Sequence, residues 1–355
     1  MEVHQLLASA AFGDAITNEA LALQPHLRRL GPSEIFAVHL DRARAPGVKP
    51  LEDYAGLPSA AGGDNILLLH HSIGLAEMWE FLQARRERMV VRYHNVTPPE
   101  YFEPYDLAFA RLLREGRDWL PHLAERAVAA LADSSYNAGE LREAGFERVL
   151  VEPVVVDVGG LKKLRPRQPD PPLPERGPAV LFVGRIVPNK GQHRLLAAFH
   201  VLKTYLQPEA SLHLAGKPGQ RTYYSRLQRF ASELALPDVR FSGEISTAEL
   251  AAFYRRADVF LCLSEHEGFC VPLLEAMSFD VPIVAWDTTA VGETSGGAAL
   301  LLSRATPSLV AEAVNAVISD GHLRRDLVER GRKRLAELAP ERAAARLIEG
   351  IKALT

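Results

Sequence analysis

The sequence predicts an α/β chain of two doubly wound domains in tandem, and three observations predict it. Short apolar runs alternate with longer stretches of helical periodicity, as expected of parallel strands buried on both faces beneath helices. A stretch rich in proline and charge, RPRQPDPPLPERGP (165–178), interrupts the alternation, after which the pattern restarts. The chain has 355 residues, more than one ordinary core accommodates.

In the first half the strand candidates are EVHQLLAS (2–9), EIFAVHL (34–40), NILLLHH (65–71), MVVRYHN (89–95), AVAALAD (127–133) and VLVEPVVV (149–156). TNEALALQPHLRRLG (17–31) reads as a helix between the first two. The segment 165–178 reads as an interdomain linker. Beyond it, AVLFVGR (179–185), SLHLAG (211–216), DVRFSG (238–243), DVFLCLS (258–264) and VPIVAW (281–286) are strand candidates, and HRLLAAFHVLKTYL (193–206) and SLVAEAVNAVI (308–318) are covering helices. The domains are thus expected at 1–165 and 166–340. The amphipathic stretch 341–355 is expected to pack back on the first domain. Two such domains would leave a deep cleft between two sets of strand C-terminal ends, where ligands bind in open α/β sheets.

Bulk properties exclude several classes. A net charge of −3 gives no basic field for nucleic acid. The two cysteines, Cys262 and Cys270, form neither a disulfide framework nor a Cys/His metal spacing. No apolar run reaches membrane-spanning length, and the start lacks the layout of a signal peptide. The expectation is a cytoplasmic protein. Peripheral contact with the inner face of a membrane stays open, because ARRERM (84–89) and RRLG (28–31) would suit anionic headgroups as well as plain solvated helix faces.

Two motifs of the second half carry chemistry. In GRIVPNKG (184–191), Arg185 ends a strand and Lys190 follows a Pro-Asn turn into a helix. Two cations and free N–H groups at a helix N-terminus suit a diphosphate, or else face water on a surface loop. The order of a P-loop is absent. In SEHEGFCVPLLEAM (264–277), Glu267 lies in a strand's exit loop beside Gly268, and Glu275 lies in the first turns of the helix that follows. Two carboxylates at a helix mouth can hold vicinal hydroxyls of a sugar or ribose. For Glu275 a favourable interaction with the helix dipole is the structural alternative.

On these residues the chain resembles the retaining glycosyltransferases of the GT-B fold, in the large group called family 4. The resemblance covers nearly the whole chain and is most specific in the second domain. It implies that Arg185 and Lys190 hold the donor diphosphate. EHEGFCVPLLE matches the family's E-x7-E signature, so Glu267 would bind the donor sugar and Glu275 the ribose. The N–H groups of Gly268, Phe269 and Cys270, with Val271, would face sugar and phosphate. Gly216 of LAGKPG and Ser242, Gly243, Glu244 and Ile245 of RFSGEIS would complete the donor site, the latter four near the base. In the first domain, GDAI (13–16) matches the loop over the donor phosphates, with Gly13 and Asp14 where many members have two glycines. Asp14 or Thr17 capping the next helix is the plain alternative. His94 of RYHN (92–95) matches a histidine near the reacting carbon, serving partly through its backbone carbonyl. His70 or His71 would line the cleft. Asn137 and Glu140 read as a capping box.

The catalytic set expected by resemblance is therefore His94, Glu267, Arg185 and Lys190. The expected activity is retaining transfer of a hexose from GDP-mannose or a UDP-hexose to a saccharide or lipid-linked acceptor. The context suggested by resemblance is a bacterial-type surface polysaccharide. No Asp-x-Asp pair occurs, so no metal and no separate cofactor is expected. The resemblance favours same-face substitution, with Arg185, Lys190 and a helix N-terminus neutralising the leaving group. Two other classes share the architecture: sugar-nucleotide 2-epimerases, whose motifs differ from EHEGFCVPLLE, and a sugar-nucleotide-binding protein without catalysis. A NAD-dependent dehydrogenase would need G-x-G-x-x-G, which GDAI does not supply.

Overall fold

The computed structural model describes residues 1–11, 13–41, 45–57 and 65–353. They divide into two compact units, one formed by residues up to Val156 together with those from Leu338 onward, the other spanning Asp157–Glu337.

The first unit runs β1 (Val3–Ala10), α1 (Ala15–Leu27), β2 (Ile35–Leu40), β3 (Val48–Pro50), β4 (Ile66–His71), α2 (Ala76–Gln83), β5 (Arg88–Tyr93), α3 (Leu107–Arg126), β6 (Ala127–Ala132), α4 (Ser135–Glu143) and β7 (Val149–Val151). The second runs α5 (Val158–Lys163), β8 (Ala179–Val183), α6 (Gln192–Val201), β9 (Ser211–Ala215), α7 (Arg221–Glu233), β10 (Val239–Gly243), α8 (Thr247–Arg256), β11 (Val259–Cys262), α9 (Val271–Ser278), β12 (Ile283–Trp286), α10 (Val291–Ser295), β13 (Ala299–Leu302), α11 (Pro307–Ser319) and α12 (Gly321–Glu337). A last helix, α13 (Pro340–Lys352), belongs to the first unit.

Both sheets are parallel, with orders β3-β2-β1-β4-β5-β6-β7 and β10-β9-β8-β11-β12-β13. Each order reverses once, between β1 and β4 and between β8 and β11. The crevice at such a switch point is where doubly wound sheets take ligands. The residues after β1, β4, β8 and β11 therefore hold the positions of interest.

The central strands are buried: β4 at every position, its first four residues apolar and its last two His70 and His71, and Val3, Leu6 and Leu7 of β1 fully. On one face of the first sheet, Leu23 and Leu27 of α1 join Val3, Ile66, Leu68, Val90 and Leu131 in one cluster. Ala343, Ala344, Leu347 and Ile351 of α13 complete it. Burying a Leu or Ile side chain contributes about 2 kcal/mol, so this stripe suffices to hold the helix. A Cβ on Gly350 would meet Leu150 at 3.1 Å, which marks how closely α13 lies on the sheet. Residues 354 and 355 of the stretch lie outside the described residues.

Several expectations are corrected. The division between the units falls after Val156 rather than after 165, because α5 packs on α8 and α9 of the second unit. Segment 165–178 is not a free linker. Arg256 donates to the carbonyls of Pro174, Arg176 and Gly177, Arg240 to that of Pro171, and Arg167 pairs with Glu249 at 3.1 Å. These contacts fasten it to the second unit. β3 and β13 are edge strands of three and four residues, and neither is among the strand candidates. The last strand of the first unit stops at Val151 rather than 156.

Candidate active site

In the second unit, two exit loops of neighbouring strands are fastened together. The loop after β8 carries Arg185 and a 3-10 turn, Pro188–Lys190, closed by Gly191 at φ 65°. A Cβ at Gly191 would stand 2.3 Å from the Leu263 carbonyl oxygen, so only glycine permits this approach of the loop to β11. Glu265 N–H donates to Asn189 O at 2.8 Å, and the Asn189 amide donates to His266 O at 3.2 Å. Arg194 Nε adds a bond of 2.9 Å to Glu265. Thr289 Oγ1 accepts from Glu267 N–H at 2.9 Å, and Thr288 Oγ1 donates to Ser264 O at 2.7 Å.

This framework sets Lys190 Nζ 2.6 Å from Glu267 Oε2. The Lys190 side chain is 24% exposed and that of Glu267 8%, so the pair is reachable while partly desolvated. Burial works against the ammonium, but Glu267 outweighs it, and the Lys190 pKa lies above its ordinary value. Beyond Glu267 the chain enters α9 through Cys270, a non-glycine residue at φ 76°. The N–H groups of Phe269 and Cys270 donate to no group among the described residues. They lie at a helix N-terminus with Pro272 in its first turn, an arrangement that accepts anions.

Glu275 stands one turn further along α9. Its Oε2 accepts from the buried Tyr254 hydroxyl at 2.7 Å, and its Oε1 has no hydrogen-bond partner among the described residues. Burial raises the Glu275 pKa, and the Tyr254 bond partly offsets that rise. The same burial, with Glu275 alongside, holds the Tyr254 hydroxyl protonated well beyond its ordinary range. Tyr254 leaves one carboxylate oxygen engaged and one available.

Arg185 is exposed at the exit of β8, and its guanidinium passes over Gly219. A Cβ at Gly216 would lie 1.9 Å from Gly184 O, so Gly216 serves the close approach of two backbones. Ser242 and Gly243 end the edge strand β10, and Glu244 and Ile245 follow it. Gly243 O accepts from Gly216 N–H at 3.1 Å, Ser242 Oγ is buried without a hydrogen-bond partner among the described residues, and Glu244 is 4.0 Å from Lys217.

In the first unit, His94 sits at the exit of β5 inside a buried polar cluster. Its Nδ1 is 3.1 Å from Asp133 Oδ2 and 3.5 Å from Glu19 Oε2, and its Nε2 is 2.8 Å from His70 Nδ1. Arg92, fully buried, pairs with Glu19 at 2.6 Å and with Asp133 Oδ1 at 2.8 Å, the latter outside hydrogen-bond directions. Asn95, at φ 73°, forms the turn after His94. Its amide donates to Asn137 at 2.9 Å and to Glu140 at 2.7 Å, and Arg117 clamps Val96 O and Glu140. The turn is thus held on both sides, while the His94 carbonyl accepts no hydrogen bond among the described residues.

One sequence expectation changes here, and one of the stated alternatives is observed. Asn137 and Glu140 do not form a capping box; Ser134 caps α4, accepting from Asn137 N–H at 3.2 Å, and the Asn137 and Glu140 side chains hold the 93–96 turn. Asp14 is the N-cap of α1, accepting from Thr17 N–H and Oγ1 at 2.8 Å each. That role occupies one of its oxygens. Gly13, at φ 74°, has open space around a would-be Cβ, so conformation rather than crowding requires it. Of the two other histidines, both buried, His71 donates to Gly116 O at 2.8 Å while His70 joins the His94 cluster.

Sequence reasoning missed Glu19, Arg92, Asp133 and Tyr254. Arg92 was detectable, since an arginine inside the apolar run MVVRY demands a buried partner. Asp133 was detectable as an acid at a strand's C-terminal end. Among the described residues two groups offer metal-ligand types, Glu19/His70/His94 and Cys262/Glu267/Cys270. In the first, two nitrogens already share a hydrogen bond; in the second, Lys190 occupies Glu267.

Two parallel sheets with these switch points give the chain the GT-B fold. It superposes on a sucrose-phosphate synthase from Thermosynechococcus elongatus with a TM-score of 0.75 at 20% identity, covering 100% of this chain and 99% of that one. It superposes on Anabaena HepE in complex with UDP with a TM-score of 0.74 at 18% identity, covering 99% and 100%. Residues 166–334 match the family described as glycosyl transferases group 1: the second unit carries a group 1 glycosyl transferase domain. A GDP-mannose-dependent alpha-mannosyltransferase of Mycolicibacterium smegmatis is 32% identical over 53% of this chain and 46% of its own length. An O-antigen chain mannosyltransferase B of Escherichia coli is 25% identical over 77% and 72%. The chain spans less than half the length of the first curated relatives it matches. No helix among the described residues is long and apolar enough to cross a membrane.

Proposed function

We propose that the protein transfers a hexose, with retention, from a nucleoside-diphosphate sugar to a saccharide or lipid-linked acceptor, without a metal. The observation that carries this reading is the Lys190–Glu267 pair at 2.6 Å beside the unpaired N–H groups of Phe269 and Cys270. An ammonium and a helix N-terminus can neutralise a leaving diphosphate, and an adjacent carboxylate can accept from sugar hydroxyls. Arg185 adds charge on the diphosphate. Gly13, Asp14, Gly216, Gly268 and Val271 line the donor, Ser242, Gly243, Glu244 and Ile245 serve the base, and Glu275 takes the ribose through Oε1. The first unit contributes His94 through its carbonyl.

In the reaction the bond from the sugar's anomeric carbon to the diphosphate oxygen breaks. The acceptor oxygen bonds to the same face of that carbon, and its proton passes to the leaving phosphate. GDP-mannose is the favoured donor, supported by the likeness to the GDP-mannose-dependent alpha-mannosyltransferase of Mycolicibacterium smegmatis. Calorimetric titration with GDP, UDP and ADP in EDTA tests the reading. Tight binding of GDP, followed by transfer from GDP-mannose, is expected. Binding of none of the three would overturn it.

A further inference from the structure

The hydrogen bonds around His94 fix a proton count. The Gln5 side-chain amide donates to Ala20 O at 2.9 Å, so its carbonyl oxygen is the end that meets His70 Nε2 at 3.0 Å. A carbonyl only accepts, so His70 Nε2 carries a hydrogen. His94 Nδ1 faces the carboxylates of Asp133 and Glu19. Both carboxylates pair with the Arg92 guanidinium and accept only, so His94 Nδ1 carries a hydrogen too. Between these outer hydrogens, His70 Nδ1 and His94 Nε2 meet at 2.8 Å, a contact that requires one further hydrogen. Three hydrogens on two rings is one more than two neutral imidazoles hold.

We propose that the His70–His94 pair carries this extra proton, that it rests on His94 as an imidazolium against Asp133, and that Asp133 is a positioning residue for the transfer reaction. The positioning role rests on the function proposed above. Charge balance agrees: Arg92 and the imidazolium face Glu19 and Asp133, and Glu152, which also acts on Arg92, pairs with Arg346 at 3.4 Å, so three cations meet three anions. Burial, with His94 and Arg92 nearby, depresses the His70 pKa well below the ordinary value, which puts the charge on His94. His71, the remaining histidine facing His94, is likewise depressed by burial, to about 4, and stays neutral. The imidazolium ties the Asn95 turn to Asp133, and so fixes the carbonyl assigned to the reacting sugar.

Asp133→Asn separates charge from shape. An asparagine keeps an oxygen towards Arg92 and turns an amide N–H towards His94 Nδ1, so the ring becomes an acceptor there and the extra proton is lost. Long-range proton–nitrogen NMR of the histidine-labelled protein, recorded well above the ordinary imidazole pKa of about 6.5, reads the state directly, with His94 assigned by His94→Gln. Wild type should show one doubly protonated ring, Asp133→Asn none, and His70→Gln should retain it because a glutamine can still accept from His94. Turnover of Asp133→Asn at saturating donor should fall by about 100-fold with KM nearly unchanged, and Asp133→Glu should restore part of it. Only neutral rings in wild type would overturn the proton count. A cationic His94 with wild-type turnover in Asp133→Asn would overturn the positioning role. Absence of transfer by the wild type from any nucleotide sugar would instead sink the function proposed above, while the NMR result still decides the charge.

Discussion

Lys190 Nζ lies 2.6 Å from Glu267 Oε2 although 77 residues separate them in the chain. The contact exists because Gly191 admits the Leu263 carbonyl and because Asn189 bonds the loop that carries Glu267. In the proposed function it keeps a cation and an anion in place before the donor arrives.

Removing one partner leaves the other charge partly buried. Lys190→Met should lower stability by about 3 kcal/mol, and the double variant Lys190→Met/Glu267→Gln should recover much of that loss. Denaturant midpoints check this. In function, Lys190→Ala should weaken both nucleotide binding and transfer. Glu267→Ala should reduce transfer by about 100-fold or more while the nucleotide still binds. Unchanged turnover in Glu267→Ala would refute its assignment.

Tyr254→Phe deletes the donor to Glu275 Oε2 and leaves a half-buried carboxylate less satisfied. The expected cost is about 1–3 kcal/mol of stability. Because Oε1 is the oxygen assigned to the ribose, the donor KM should rise through loss of side-chain positioning with little change in kcat. Steady-state kinetics separates the two.

Two glycines should respond differently to alanine. At Gly216 a methyl would meet Gly184 O at 1.9 Å, so Gly216→Ala should cost more than about 3 kcal/mol or prevent folding. At Gly13 the space is open, so Gly13→Ala should cost only about 1 kcal/mol, the penalty of the left-handed backbone. Equal losses at both positions would contradict the crowding described at Gly216.

His71 predicts acid sensitivity of the first unit. Its folded pKa is about 4, against about 6.5 unfolded. The unfolded chain therefore binds the proton more readily between these values. Stability is fully present above about 6.5 and falls by about 3 kcal/mol as the pH drops to about 4. Trp119 stacks on His71 with centroids 6.1 Å apart, so its fluorescence reports the transition. His71→Gln should flatten this slope.

The sequence by itself determined the class of fold, the two-unit plan and the motifs from which the candidate second-unit site is built. Those features are local: apolar runs of strand length, a proline-rich interruption, and motifs whose glycines, cations and acids lie within a few residues of one another. Tertiary structure decided the rest. The linker became an anchored segment because Arg240 and Arg256, distant in sequence, find its carbonyls. Asn137 and Glu140 left the expected capping role because the left-handed turn at Asn95 presents them with donors. Glu19, Arg92, Asp133 and His70 share a site with His94 only because parallel pairing puts the ends of β1, β4, β5 and β6 side by side and α1 returns over them. Buried charges must find opposite charges, and which ones they find depends on strand order, a property that no single stretch of sequence encodes.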